Sequence, residues 1–270
     1  MEVEEAALGP LPVLAGGEGP PLLYLGGLLP VAGVGARLAR PAAEFSARPL
    51  ADIRRVMYVN RRPGLPRGMT MAELAAEHAE AIHALDAGPV DVVGISTGGS
   101  IAQQLAVDHP HSVRRLVLVS TGCRLLPETR RMQAQVAADV RLGRPQRGLV
   151  SAAAFVVFPP AEPTARLLAP FASRLVDRLG DLGDLATTIE AEDSFDLART
   201  GGVIRAPTLI VCGARDRFYP RALLEETRQL IPGSILRVVP RRGHLTAVGD
   251  SRAVAAVRGF LQHHSSGVEP

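Results

Sequence analysis

The chain has 270 residues, 47% of them hydrophobic, which is enough for one large core or two modest ones. Thirty basic residues against 27 acidic ones leave a formal net charge of +3, and every basic residue is an arginine. Without lysine there is no Schiff-base amine, no Walker-type phosphate-binding lysine and no Ser-Lys dyad, and a balance this near neutrality is not a basic stripe for nucleic acid. The abundance of Ala, Gly, Pro and Arg is explained mainly by a compositional bias of the coding sequence. Cys123 and Cys212 are too few and too far apart for a disulfide framework or a four-ligand zinc site. The start Met1-Glu2-Val3-Glu4-Glu5 is acidic, unlike a signal peptide, and glycines and prolines break the longest apolar stretch, Leu22 to Val34. These features predict a soluble, cytoplasmic, globular protein in a reducing compartment.

In chain order, short apolar runs alternate with longer helical patterns. Strands are expected at Pro21–Leu25, Arg55–Asn60, Val90–Ile95, Val113–Ser120, Thr208–Cys212 and Ile235–Val239, each rich in Val, Leu and Ile with little polar alternation. Helices are expected at Met71–Leu85, Thr97–Asp108, Arg221–Leu230 and Ser251–Gln262. Strand–helix alternation at this spacing predicts an α/β fold, a mostly parallel sheet with helices on both faces. Between Cys123 and Thr200 the rhythm stops. Helical patterns at Pro127–Leu142, Gln146–Val157, Pro163–Leu179 and Asp181–Glu192 replace it, punctuated by Pro159, Pro160 and Pro163. This reads as a helical insertion lying over the strand ends, where open α/β sheets bind ligands. The expected division is therefore residues 1–122 and 201–270 as the α/β core and 123–200 as the insertion.

Gly94-Ile95-Ser96-Thr97-Gly98-Gly99 closes one expected strand and opens the next expected helix. This is a G-x-S-x-G turn, in which glycines two before and two after the serine permit a strained backbone. The helix start supplies a backbone N–H and a positive dipole end beside the hydroxyl. A serine needs a base, and the base an orienting acid. Of seven histidines, His78 and His83 fall in an amphipathic helix, His109 and His111 flank Pro110, and His263 and His264 lie in a polar tail. All six are expected to be solvated or half-buried. His244 instead follows the strand Ile235–Val239 through Arg241-Arg242-Gly243 and precedes the last helix. Asp216 follows Thr208–Cys212 on the equivalent loop one unit earlier. Asp193 and Asp196 are rivals for the acid, without a preceding strand. An oxyanion hole should combine the N–H of Thr97 with one from Leu25-Gly26-Gly27-Leu28-Leu29-Pro30, that of Leu28 or, second, Gly27.

These motifs, with Ala206-Pro207-Thr208-Leu209-Ile210 and Gly243-His244, make the chain resemble the α/β-hydrolase-fold superfamily from about Leu22 to the end, the insertion excepted. The resemblance implies Ser96 as nucleophile, Asp216 as acid, His244 as base and residues 123–200 as a helical cap. It also exposes two departures. Gly26 stands where relatives usually have histidine in the oxyanion loop, which should alter loop rigidity, and Ile95 stands where an aromatic or histidine often precedes the serine. A serine nucleophile argues against the dehalogenases and epoxide hydrolases of this fold.

Phe218 and Tyr219 could line the substrate pocket or pack the core, and Phe155, Phe158 and Phe171 suggest an apolar lid. Arg215, Arg217, Arg241 and Arg242 bracket the acid and base, either as a cationic rim or as solvated loop residues. Cys123 could face the cleft, and Cys212 is expected in the core. The expected activity is hydrolysis of a carboxylic ester or thioester of a small, largely apolar molecule through an acyl-enzyme. The alternatives are C–C bond hydrolysis, a non-hydrolytic acyltransferase, lyase or cyclase on the same site, and a ligand-binding receptor with a vestigial triad. No metal or organic cofactor is implied; the expected partner is a small-molecule substrate, with neither nucleic acid nor membrane. The oligomeric state is left open.

Overall fold

A computed structural model of the chain describes residues 3–35, 39–149, 152, 179 and 181–263. Its centre is an eight-stranded sheet built from β1 (Glu4–Leu8), β2 (Leu11–Gly16), β3 (Pro21–Leu25), β4 (Arg55–Val59), β5 (Val90–Ile95), β6 (Val113–Val119), β7 (Thr208–Gly213) and β8 (Ile235–Val239). The spatial order is β1-β2-β4-β3-β5-β6-β7-β8, with β1–β2 and β2–β4 antiparallel and every other pair parallel. The six expected strands are all present, with ends moved by at most one residue. The chain also crosses the sheet order between β3, β4 and β5, which brings the carboxyl ends of β3 and β5 side by side.

Every residue of β5 and β7 is buried, because helices cover both faces. One face packs against α2 (Met71–His83), α3 (Thr97–Asp108) and α6 (Arg221–Leu230), through Leu23, Val92, Leu118 and Ile210 among others. The other packs against α1 (Ala39–Ala47) and the last helix, α8 (Ser251–His263), through Leu22, Val93, Val117 and Val211. Successive strand residues thus point into different layers of core, and no position can be polar without a partner. Asp91 on β5 has such partners: it accepts from Arg54 and Arg114, each at 2.9 Å, and from Arg115 at 3.4 Å. Arg54 and Arg115 also donate to the Leu261 carbonyl and so pin α8 to the sheet.

The hairpin β1–β2 was not expected. Four of the five β1 residues are exposed, and only pairing with β2 makes the segment a strand, a charged edge of the sheet. Between β6 and β7 the described helices are α4 (Pro127–Arg141) and α5 (Gly183–Asp193), which pack together around Val136, Ala137, Leu185 and Ile189 with Leu28 against them. Of the expected helix Gln146–Val157, residues 146–149 and 152 are described and helical; the rest of it, all of Pro163–Leu179 but Leu179, and Phe155, Phe158 and Phe171 lie outside the described residues. His78, expected to be solvated or half-buried, is 3% exposed instead. The α2 face that carries it packs on the sheet, and its Nδ1 lies 2.7 Å from the Leu74 carbonyl. Among the described residues no helix is long and apolar enough to cross a membrane.

Candidate active site

The turn from β5 into α3 is as tight as its glycines imply. A Cβ on Gly94 would sit 2.6 Å from the Gly98 carbonyl oxygen, and one on Gly98 would collide with the carbonyl oxygens of Leu25 and Gly26. Ser96 itself has φ 51° and ψ −122°, a backbone conformation that costs a residue with a side chain of order 1–3 kcal/mol. The turn is held from below by Ser96 N–H donating to Val119 O and from above by Gly99 and Ser100 N–H donating to Ser96 O. Ser96 therefore projects from the sheet edge while its neighbours on α3 are buried.

Asp216 and His244 are brought together by two loops that run against each other. Ala214 N–H donates to Val239 O and Arg215 N–H to Arg242 O. Gly213 makes the approach possible: a Cβ there would lie 2.8 Å from the Gly243 carbonyl oxygen. His244 opens the short helix α7 (His244–Val248) and is 7% exposed. Its Nε2 lies 3.1 Å from Ser96 Oγ and its Nδ1 2.9 Å from Asp216 Oδ2. The carboxylate partner assigns the proton to Nδ1, which leaves Nε2 to accept from the serine hydroxyl.

Asp216 is over-determined. Its Oδ1 accepts from Phe218 N–H at 2.9 Å and Tyr219 N–H at 3.1 Å, and its Oδ2 also accepts from Cys212 Sγ at 3.2 Å. Burial, and then the Asp216 charge, hold the Cys212 thiol far above its ordinary range, so it stays a donor. The Phe218 ring stacks on the His244 imidazole with centroids 4.6 Å apart, and Tyr219 lies 5.8 Å away. Both rings are buried and pack into the core as well as against His244. Ser120, whose φ is 48°, donates its hydroxyl to the His244 carbonyl at 2.8 Å and fixes the base from beneath.

The oxyanion loop follows β3. A Cβ on Gly27 would be 3.6 Å from that of Ser96, so this glycine faces the serine, and Leu28 packs toward α4 and α5. Gly26 does not leave the loop slack. Its N–H donates to Val59 O, and the phenol of Tyr58 from β4 fills the volume a side chain there would take, with Cζ 2.8 Å from the position of a Cβ.

Other candidates lie elsewhere. Asp193 pairs with Arg130 at 3.2 Å and Asp196 caps Ala198 N–H at 3.1 Å, so neither serves His244. Cys123 does not line a cleft; it is buried in the core, and burial pushes its thiol up to about 11. Arg215, Arg217, Arg241 and Arg242 are exposed, and Arg242 pairs with Asp250 at 2.6 Å. One residue at the site carried no signal in the sequence. Glu192 of α5 is fully buried, its Oε2 accepting from Thr97 Oγ1 at 2.7 Å and its Oε1 from Ser100 Oγ at 2.8 Å. Nothing in its local pattern separates it from the acidic residues around it.

A family model of the alpha/beta hydrolase fold matches residues 45–249. A Klebsiella pneumoniae protein named "Putative carbamate hydrolase RutD" is 30% identical over 189 residues, which span 69% of this chain and 71% of that one. Polyketide synthase ThaQ of Burkholderia thailandensis is 30% identical over 259 residues, 92% of this chain but 12% of that much longer protein. Among solved structures, a hydrolase from Pseudomonas aeruginosa PA01 superposes with a TM-score of 0.71 at 24% identity, covering 97% of this chain and 98% of that one. The chain belongs to the alpha/beta hydrolase fold family and is an enzyme of the hydrolase type.

Proposed function

We propose that the enzyme hydrolyses a carboxylic ester or thioester of a small, largely apolar molecule through an acyl-enzyme on Ser96. The observation that carries this reading is the unbroken chain Ser96 Oγ–His244–Asp216 at 3.1 and 2.9 Å, on a serine held at positive φ. Ser96 Oγ attacks the carbonyl carbon while His244 Nε2 takes its proton, and Asp216 holds the tautomer and the imidazolium that forms. The N–H groups of Thr97 and of Leu28 or Gly27 receive the charge on the carbonyl oxygen. His244 returns the proton to the leaving group, then takes one from water, whose oxygen attacks the acyl carbon; as the bond to Ser96 Oγ breaks, His244 gives that proton to Oγ and the acid is freed. Of the expected cap, the described helices α4 and α5 pack against Leu28 of the loop that would supply the second oxyanion N–H. The name of the Klebsiella relative adds a carbamate to the candidates, since its carbonyl is open to the same attack.

A fluorophosphonate probe tests the nucleophile: labelling is expected on Ser96 and absent in Ser96→Ala. A panel of nitrophenyl esters of graded acyl length, with a thioester and an aryl carbamate, then sorts the substrate class. A protein that resists the probe refutes nucleophilic catalysis at Ser96. One that is labelled but inactive across the panel refutes the hydrolytic step.

A further inference from the structure

Glu192 is a buried carboxylate in an enzyme whose arginines are plentiful, yet among the described residues no arginine pairs with it. Its partners are hydroxyls and an amide. Thr97 and Ser100 approach from α3, one on each oxygen, and Gln133 adds a hydrogen bond from α4. Tyr219 and His244 face it from the loops after β7 and β8. Of all these groups only His244 can carry positive charge.

Resting on the hydrolase reading above, we propose that Glu192 is a positioning residue for the reaction at Ser96, acting through Thr97 and toward His244. Two physical consequences give it that role. Thr97 is the first residue of α3 and owns the amide expected to meet the oxyanion. With its hydroxyl tied to α5 at 2.7 Å, that amide cannot rotate with a fraying first turn. The second consequence is electrostatic. Both carboxylate oxygens accept hydroxyl protons, and Gln133 adds a third hydrogen bond; each of these favours the ionised group. An ionised Glu192 favours the imidazolium that forms as Ser96 gives up its proton, as a second carboxylate behind Asp216. Burial pushes the Glu192 carboxyl up, against which the hydrogen bonds from Thr97, Ser100 and Gln133 and then the charge of His244 pull it down. Protonation on acidification therefore removes the charge that favours the imidazolium.

The test compares wild-type protein with Glu192→Gln by the rate of fluorophosphonate labelling of Ser96 from about pH 5 to about pH 9, the range in which an imidazole base titrates. Glu192→Gln keeps the volume and loses the charge. It should label about tenfold more slowly at the pH optimum, as supporting residues around a reacting group typically do when altered. The acid limb of its profile should move to lower pH by about half a unit or more, since a nearby negative charge no longer favours the cation. On an ester the enzyme turns over, kcat should fall and KM should hold. Thr97→Val removes one hydroxyl and no charge, so labelling should slow while the limb stays in place; if Glu192→Gln fails to fold, an unslowed Thr97→Val overturns the proposal. A folded Glu192→Gln that labels at the wild-type rate, or that only melts earlier with its acid limb unmoved, also overturns it. If wild-type Ser96 is not labelled, the hydrolase reading fails first and this inference falls with it, an outcome distinct from equal labelling of both proteins.

Discussion

The conformation of Ser96 predicts that the proposed nucleophile destabilises its own protein. Residues with a side chain pay about 1–3 kcal/mol for such a backbone, whereas glycine pays nothing there but gives up about 0.5–1 kcal/mol of extra chain entropy on folding. Ser96→Gly relieves the strain, while Ser96→Ala keeps it, because the Cβ remains. Both variants lose the 3.1 Å hydrogen bond to His244 Nε2, so that loss cancels between them. Taking the middle of each range, Ser96→Gly is expected to be more stable than Ser96→Ala by about 1 kcal/mol. For a chain of this size each kcal/mol moves the melting temperature by about 2–4 °C, so the separation should be about 2–4 °C. Calorimetry of the two inactive variants under identical buffer conditions measures it directly. Equal melting temperatures, or a lower one for the glycine variant, would refute the assignment of strain to φ 51° and ψ −122°.

Other expectations follow from the contacts around the site. Asp216→Asn should leave the fold intact and lower kcat by about 10⁴-fold, because an amide can hold His244 in the wrong tautomer; an ester assay showing less than a tenfold loss would contradict the role given to Asp216. Gly98→Ala should destabilise the protein by about 1–3 kcal/mol or more in urea unfolding and slow probe labelling, since its methyl meets two backbone carbonyls that cannot yield without moving the oxyanion loop. His78 should confer acid sensitivity. Burial lowers its folded value to about 4, so between about pH 6.5 and 4 the unfolded chain binds more protons and stability falls as pH drops. His78→Gln should flatten that slope by up to about 3 kcal/mol, read from urea titrations at two pH values, and an unchanged slope would count against it.

The site was legible in the sequence where chemistry and local geometry coincide. Gly94, Ser96 and Gly98 announce themselves because a turn this sharp excludes side chains on both sides of the serine, and that is a property of a few consecutive residues. Asp216 and His244 could be chosen because each follows an apolar run that reads as a strand, which places it at the same edge of a parallel sheet. Ser120, Cys212 and Glu192 carried no such mark. A serine or a cysteine at the end of a strand has many possible partners, and the hydrogen bonds that give these two a role join residues 124 and 4 positions apart. Tyr58 filling the space beside Gly26 is likewise a meeting of neighbouring strands, invisible in either segment alone.

Length, a charge near neutrality and an entirely arginine basic set excluded lysine chemistry from the outset, and no later observation restored it. Periodicity settled the parallel sheet, since only strands covered on both faces need uninterrupted Val, Leu and Ile. Tertiary structure decided the rest. It made a strand of the acidic segment Glu4–Leu8 by giving it a partner, sent four loop arginines to solvent, and turned buried arginines into a clamp on Asp91 and the last helix. It also brought Glu192, 96 residues downstream, against the nucleophile turn. Local sequence dictates which backbone shapes are affordable, but a buried carboxylate acquires its partners only when distant helices pack, because their contact energy is spread over a core that no single segment contains.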